Sequence, residues 1–465
     1  MRSGKTAILH FVSQVTRSVA GFLATFFIAR YLGATPLGIY SQLLTLLFWL
    51  KFPTDSIGSA ISKRMSEDNS RPGIFVAGIL IVGGYAALVA VGVVTGQEYV
   101  NAYLGTELAL YLPLLLVVTA GYDTVASGLI GANRVAASGW LGTAERVVRL
   151  VCQVGLVLLG YAVLGLVLGH LLSLFVVSLV GAVLLKEYLE WPTRSSFDSV
   201  LSFAQYSWLG SLKGSALNWM DIFVLGFVVA DNLIGIYQVT WTLASFLAIA
   251  GTSITSTLFP KMSSLSTRAE FDEIKHLLDE GLVFTGIFLI PGFFGALVIG
   301  DDLLRIYRPE FAEGATVLGI LIGAQVLHTF GGQFVNTLNG INRPEAAFRV
   351  NAVFVGVNLL LNVGLVVTIG WYGAAIATLV SSGVYLLLGY ALLVRELGTL
   401  AIPLHEISIE IFASIVMVGF VWMSIGQFQR GHLATIVIIF AGSAVYAIVL
   451  LALSGRIRQK ATSFI

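Results

Sequence analysis

The chain has 465 residues, of which 57% are hydrophobic and only 11% charged, with a net charge of +1. A soluble domain carries about 25% charged residues, so 25 acidic and 26 basic side chains cannot cover soluble domains of this length. Composition therefore excludes a soluble enzyme and offers no basic footprint for nucleic acid. It leaves a polytopic, all-α membrane protein, whose 50 glycines suit helices that approach closely in lipid.

A spanning helix needs about 20 mostly apolar residues. Such runs predict six helices near 8–29, 38–61, 73–95, 108–131, 140–160 and 163–185, then six near 200–229, 235–259, 279–299, 314–339, 351–370 and 372–394. A final pair covers 408–427 and 432–453, giving about 14 transmembrane helices, with 38–61 and 200–229 the weakest by hydropathy. The first run carries Gln14 and Arg17, lacks a cleavage region and reads as a retained helix. The longest loop is expected near 260–278, and no soluble domain interrupts the spans. Cys152 stands alone, which rules out an internal disulfide or a cysteine metal site. Neither a phosphate-binding glycine loop nor a metal-ligand cluster is present, so no cofactor or metal is expected.

Lys and Arg set the orientation. With the N-terminus in the cytoplasm, the cytoplasmic segments hold seventeen of them, from Arg2 and Lys5 through Lys63, Arg134, Lys261 and Arg343 to Lys460. The outer loops then hold four: Arg30, Arg305, Arg308 and Arg430. Both termini are predicted to be cytoplasmic.

The two groups of six helices read as copies. Gly38-Ile39-Tyr40 recurs as Gly235-Ile236-Tyr237, and Ile61 to Ser66 falls on Leu258 to Ser263, both at an offset of 197. Gly131-Ala132-Asn133-Arg134 recurs as Gly340-Ile341-Asn342-Arg343, at an offset of 209. Six is an even number, so the copies are parallel repeats, and two such lobes enclose a central cavity. The expected organisation is an N-terminal lobe at 1–185, a cytoplasmic linker at 186–199, a second lobe at 200–394, and two further helices with a tail at 395–465.

Ionisable groups at membrane depth are costly and face a cavity or a partner. Those here are Arg17, Lys51, Asp55, Asp123, Lys213 and Asp221, with His170 and His328 read as polar packing residues. Glu145, Arg146 and Arg149 lie near a helix start and read as snorkelling to the interface. His10, Gln14, Arg17, Gly21 and Ala24 share one helical face. Adding 197 gives Ser207, Ser211, Gly214, Asn218 and Asp221, a matching small or polar face on the second lobe. Arg17 has no acidic residue at i±3 or i±4, so it contacts either an anion, which a guanidinium binds in bidentate fashion, or an acid on another helix. Lys51 and Asp55, at i and i+4, form either a self-neutralising pair or part of a site. Asp123 has no partner on its own helix and is either a carboxyl hydrogen-bonded between helices or the leading proton or sodium site, with Asp55 and Asp221 as further ion-coupling candidates. Gln325, Thr329, Gly332, Asn336 and Asn339 form a polar stripe that is either wet or hydrogen-bonded between helices.

The stretch from Ala29 to Ser41, with Arg30-Tyr31-Leu32-Gly33-Ala34 at its centre, resembles the first outer loop of polysaccharide-biosynthesis flippases. These are the Wzx-like branch of the multidrug/oligosaccharidyl-lipid/polysaccharide exporter superfamily. The repeat, the twelve-plus-two helix count and the Gly-x-Asn-Arg elements agree with it. The resemblance implies a plasma-membrane transporter, not an enzyme, that turns a lipid-linked oligosaccharide on a polyprenyl or dolichyl phosphate or pyrophosphate to the outer leaflet. It also implies basic residues in the central cavity, matched in type and region by Arg17, Lys51 and Lys213. Gln14, Gln205, Ser211 and Asn218 are the candidate sugar-binding groups. Sodium or proton coupling, membrane lipids and glycan-assembly machinery are the other expected partners. The rival readings are a multidrug/cation antiporter of the same superfamily and, further off, a membrane glycan polymerase or glycosyltransferase. The last would rest on Asp301-Asp302, which a solvated face explains better.

Overall fold

The computed structural model describes residues 19–67, 73–425 and 431–463, without the side chains of 206–218, 250, 256 and 460–463. Among the described residues all regular structure is helical. The helices are α1 (Val19–Tyr31), α2 (Ala34–Met65), α3 (Ile74–Thr95), α4 (Gln97–Leu104), α5 (Tyr111–Gly131), α6 (Val135–Leu158), α7 (Ala162–Leu184) and α8 (Arg194–Leu225). They continue as α9 (Asp231–Thr267), α10 (Phe271–Arg305), α11 (Ala315–Gly340), α12 (Pro344–Ile369), α13 (Trp371–Leu397), α14 (Leu404–Ile425), α15 (His432–Leu453) and α16 (Gly455–Ser463). Among the described residues, ten helical segments are long and apolar enough to cross a membrane. The helices α2, α6 and α8 fall outside that set; α2 and α8 are the two whose runs are weakest by hydropathy, and α6 carries Glu145, Arg146 and Arg149.

One expectation about a loop needs correction. The stretch near 260–278 is not a loop, because α9 runs to Thr267 and α10 begins at Phe271. Hydropathy marks where a helix leaves lipid, and helix-forming polar residues let the backbone continue beyond that point. The segment after α7 is likewise partly structured: a 3-10 turn at Lys186–Tyr188 precedes a capping box in which Thr193 and Ser196 satisfy the first turn of α8.

The chain forms two compact units, Met1–Gly235 and Ile236–Ile465. In the first, α2 packs on α5 and α8, α6 on α7, and α3 on α5. Its core joins Ile57, Ile61, Phe75, Val125, Leu129 and Leu185. In the second, α13 packs on α11 and α12, α10 lies against α11 and α14, and α14 pairs with α15.

The sequence repeat is repeated in local geometry. Asn133 and Asn342 both take left-handed backbone angles, φ 58° and 59°. The following arginine amides close the turns, Arg134 N–H donating to Leu129 O at 2.7 Å and Arg343 N–H to Leu338 O at 2.8 Å. This is helix termination by a left-handed residue, and Asn tolerates that conformation better than most non-glycine residues. Gly131 faces Met65 and Gly340 faces Met262, which are themselves 197 residues apart. Arg134 pairs with Glu187 at 3.3 Å and Arg343 with Glu396 at 2.7 Å, again 209 apart.

The other repeated pair meets directly. A Cβ on Gly38 would overlap the Asp231 carbonyl oxygen, and one on Gly235 would overlap the Ala34 carbonyl oxygen. The starts of α2 and α9 therefore approach through backbone, and Gln42 Nε2 donates to Asp231 Oδ1 at 2.7 Å beside the crossing. Gly84 has open space around it. In detergent melts, Gly38→Ala is expected to destabilise by about 1–3 kcal/mol, whereas Gly84→Ala gains up to about 1 kcal/mol of helix propensity. Equal shifts in the two variants would remove the close approach.

Candidate functional site

The site begins with a proline. Pro53 lies inside α2, where it removes a backbone N–H and crowds the preceding turn. Side chains attend to the carbonyls there. Tyr85 O–H donates to Leu50 O at 2.7 Å, and Thr54 Oγ1 donates to Lys51 O at 2.6 Å. This locally supported turn presents Lys51 toward α5.

Lys51 Nζ donates to Asp55 Oδ1 at 2.7 Å and to Asp123 Oδ2 at 2.7 Å. The three side chains are 20%, 27% and 28% exposed, so water reaches them only in part. One ammonium between two carboxylates leaves the group one negative charge in excess when both acids are ionised. Asp55 and Asp123 also line a cavity of about 580 Å³ that runs along α2 and α5 past Ser59, Ser62, Lys63, Ser66 and Ser127. A cavity lined by four serine hydroxyls with Asp55, Asp123 and Lys63 suits a polar, charged ligand rather than a purely apolar one.

A second polar network lies in the same unit between α2, α6 and α7. Gln153 Nε2 donates to the Tyr40 hydroxyl at 2.8 Å, which is 3.0 Å from His170 Nδ1. Arg149 Nε donates to Glu145 Oε1 at 2.7 Å, and Ser173 Oγ donates to the same oxygen at 3.4 Å. Glu145 is buried, so it does not snorkel; its pair with Arg149 is internal. Arg146, beside it, is half-exposed with Glu145 Oε2 at 3.8 Å.

The structure thus brings Lys51, Asp55 and Asp123 together. Gln14 and Arg17 lie outside the described residues. Ser211, Lys213 and Asn218 fall on α8, but their side chains are outside the described set. Gln205 is exposed, and Asp221 is buried and takes part in a polar interaction. His328 stacks on Tyr385 with ring centroids 4.6 Å apart. Much of the α11 stripe region bonds between helices: Gln325 to Ser245 at 3.4 Å, Asn336 to the Thr255 carbonyl at 3.2 Å, and nearby Gln333 to Thr255 and Thr285. Asp301 holds Arg305 at 2.8 Å on an exposed face. The cavity serines were missed, although Asp55, Ser59, Ser62 and Ser66 follow steps of four, three and four along one face of α2.

A polytopic helical protein that gathers its charges inside the helices, beside a polar cavity, is by class a transporter. Its fold is that of the lipid II flippase MurJ, whose inward closed conformation matches with a TM-score of 0.81 over 96% of this chain and 98% of that one, at 14% identity. An inward-facing multidrug resistance MATE family transporter of the MOP superfamily matches with a TM-score of 0.67, over 84% and 98%, also at 14% identity. Residues 3–266 match the family of polysaccharide biosynthesis proteins, and the chain belongs to that family. Two similar proteins come from Haloferax volcanii. The probable flippase AglR is 29% identical over 98% of this chain and 97% of its own length. The probable low-salt glycan biosynthesis flippase Agl15 is 28% identical over 83% and 82%.

The Lys51 group predicts non-additive mutants. Lys51→Ala leaves two carboxylates facing each other and is expected to destabilise more than the double variant Lys51→Ala/Asp123→Asn. A double-mutant cycle on thermal or denaturant unfolding should give a coupling of about 1–3 kcal/mol. Additive effects would show that the ion pair contributes nothing.

Proposed function

We propose that the protein is a flippase that carries a lipid-linked oligosaccharide from the cytoplasmic to the outer leaflet of the plasma membrane by alternating access. The lipid is a polyprenyl or dolichyl phosphate or pyrophosphate, and the product feeds glycan assembly. Membership of the polysaccharide biosynthesis family supports this, as do two relatives of matching length named as probable flippases. The observation that carries the reading is the Lys51 group, whose partners Asp55 and Asp123 line a cavity together with four serines. A phosphate entering a low-dielectric site needs a cationic partner, and Lys51 is held there by carboxylates that can exchange for it. Protonation of Asp55 or Asp123 frees the ammonium for phosphate, and departure of the phosphate lets the acid ionise again. Proton coupling follows from that exchange, with sodium as the other ion that could neutralise the carboxylates.

In this reading both termini are cytoplasmic, which the Lys and Arg bias supports, and the cavity opens to the cytoplasm near Lys63. The repeats 1–185 and 200–394 act as the two moving lobes, joined by 186–199 and followed by 395–465. Arg17, Lys213, Gln14, Ser211 and Asn218 extend the substrate contacts, and Asp221 is a further ion-coupling group. The net negative charge of the Lys51 group favours one alternative, a cation antiporter.

The test is a gene deletion followed by a leaflet-accessibility assay of lipid-linked oligosaccharide. Wild type and Lys51→Arg should clear a cytoplasmic-leaflet accumulation. Lys51→Ala should clear it about a hundredfold more slowly, the factor for about 3 kcal/mol lost at a desolvated charge pair. Arg17→Ala tests the anion contact on the first helix in the same way. If every variant clears the lipid equally, the function stands and these cations are dispensable. If deletion leaves the glycan lipids unchanged while sensitising cells to toxic cations, the antiporter reading replaces the flippase.

A further inference from the structure

The last helices, which lie outside the repeat, hold a further buried acid. Glu410, on α14, is 0% exposed, and neither carboxyl oxygen has a hydrogen-bond partner among the described residues. The acid sits where α10, α14 and α15 meet in an apolar cluster that includes Val283, Ala413, Met417 and Leu450. Space for the carboxyl comes from Gly286 on α10, where an added Cβ would overlap Glu410 Oε2. Tyr446 on α15 is within electrostatic reach, and its buried hydroxyl also has no hydrogen-bond partner among the described residues.

One turn toward the α16 side the surroundings change. Glu406 lies at i−4 on α14, and its Oε1 is 3.8 Å from Arg456 Nη1 on α16. Arg456 also donates to Asp279 on α10, and Glu280 stands next to it in the chain. Burial opposes the Arg456 charge, but the Asp279 hydrogen bond and the Asp279, Glu406 and Glu280 carboxylates outweigh it and hold the guanidinium above its ordinary range. Among the described residues, Glu406 on its own helix and Tyr446 on α15 are the titratable groups within electrostatic reach of Glu410, and Arg456 with Asp279 and Glu280 forms the charged cluster around Glu406.

We propose that Glu410 is a proton-binding site inside the bilayer, loaded and unloaded through Glu406. A lone carboxylate in an apolar site is too costly to persist, so the empty site takes up a proton. A metal ion does not suit it. Hard cations collect about six oxygens, and among the described residues no group of three or more His, Cys, Asp or Glu is placed to hold one. Unloading moves the proton from the Glu410 carboxylic acid to the Glu406 carboxylate, about 6 Å away between Cβ atoms at i, i+4 spacing, and from there to water. The Glu410 carboxylate so formed can accept from the Tyr446 hydroxyl. The site is distinct from Lys51, Asp55 and Asp123, and its presence does not depend on the substrate.

Dicyclohexylcarbodiimide, an apolar reagent that modifies protonated carboxyls, tests this on the full-length protein in liposomes. Mass spectrometry should find the adduct on Glu410 in wild type near neutral pH. Labelling should fall by about tenfold per pH unit above its midpoint, and Glu406→Gln should slow its response to a pH jump. Glu410→Gln should lose that adduct. If the folded protein leaves Glu410 unmodified while the denatured protein labels there, the site is not a proton site. Labelling that ignores pH until the protein unfolds would equally overturn the proposal, since the acid would then be a permanently neutral packing group. The wild-type adduct needs no variant to fold and no transport to occur, so its outcome is separate from that of the flippase reading.

Discussion

Polar groups inside a bilayer must find partners within the protein, because no water is there to provide them. That constraint organises this molecule more than any apolar contact does, since lipid is as good a solvent for leucine as another helix is. Gln333 divides its amide between Thr255 and Thr285, and Asn358 reaches Thr378 and Ser381 on the next helix. Lys51 spans two carboxylates. Tyr40 links Gln153 on α6 to His170 on α7. In each case a polar side chain ties helices together in one register, and the helix arrangement follows from those ties.

Duplication explains why so many ties come in pairs. The left-handed asparagine, the arginine after it, the glutamate that arginine holds and the glycine packed on methionine all recur. These are termini, where backbone carbonyls would otherwise be left without donors, so a solution found once serves both halves. The charged groups at membrane depth do not follow the pattern. Lys51 and Asp55 have Ala248 and Thr252 at the 197 offset, and Asp123 has Gly332 at the 209 offset. What is repeated is therefore the scaffold of helix ends, and the charged trio at membrane depth belongs to one half alone.

The same contrast decides what could be read from the chain. Spans follow from local apolar runs, so each expected segment from 38 onward coincides with a described helix. Helix ends such as Thr267 were hidden, because a polar helix leaving lipid has the composition of a loop. Asp123 offered no partner at helical spacing, and its partner Lys51 is 72 residues away. Glu145 showed the opposite failure: a charged cluster near a helix start resembles a snorkelling group until Arg149 and Ser173 are seen to enclose it. Glu410 was invisible for a simpler reason, being one acid among several polar residues at the start of α14, with only tertiary packing to distinguish it from Glu406.

Charge balance at Lys51 then bears on how a phosphate could enter and leave. Two unit charges about 4 Å apart in a partly solvated protein interact by about 4 kcal/mol. A lysine facing one carboxylate would be neutral, and an arriving phosphate would have to compete for it outright. A lysine facing two is over-neutralised, which repels an anion while both acids are ionised and admits it once one or both are protonated. If Lys51 receives the phosphate as proposed, the second carboxylate makes it a conditional anion receptor in place of a static ion pair. Because Asp55 is on the same helix as Lys51 and Asp123 is on α5, that condition also depends on how closely the two helices approach. A cycle that separates α2 from α5 would change the affinity for phosphate without altering any residue at the site, and this links helix movement to release.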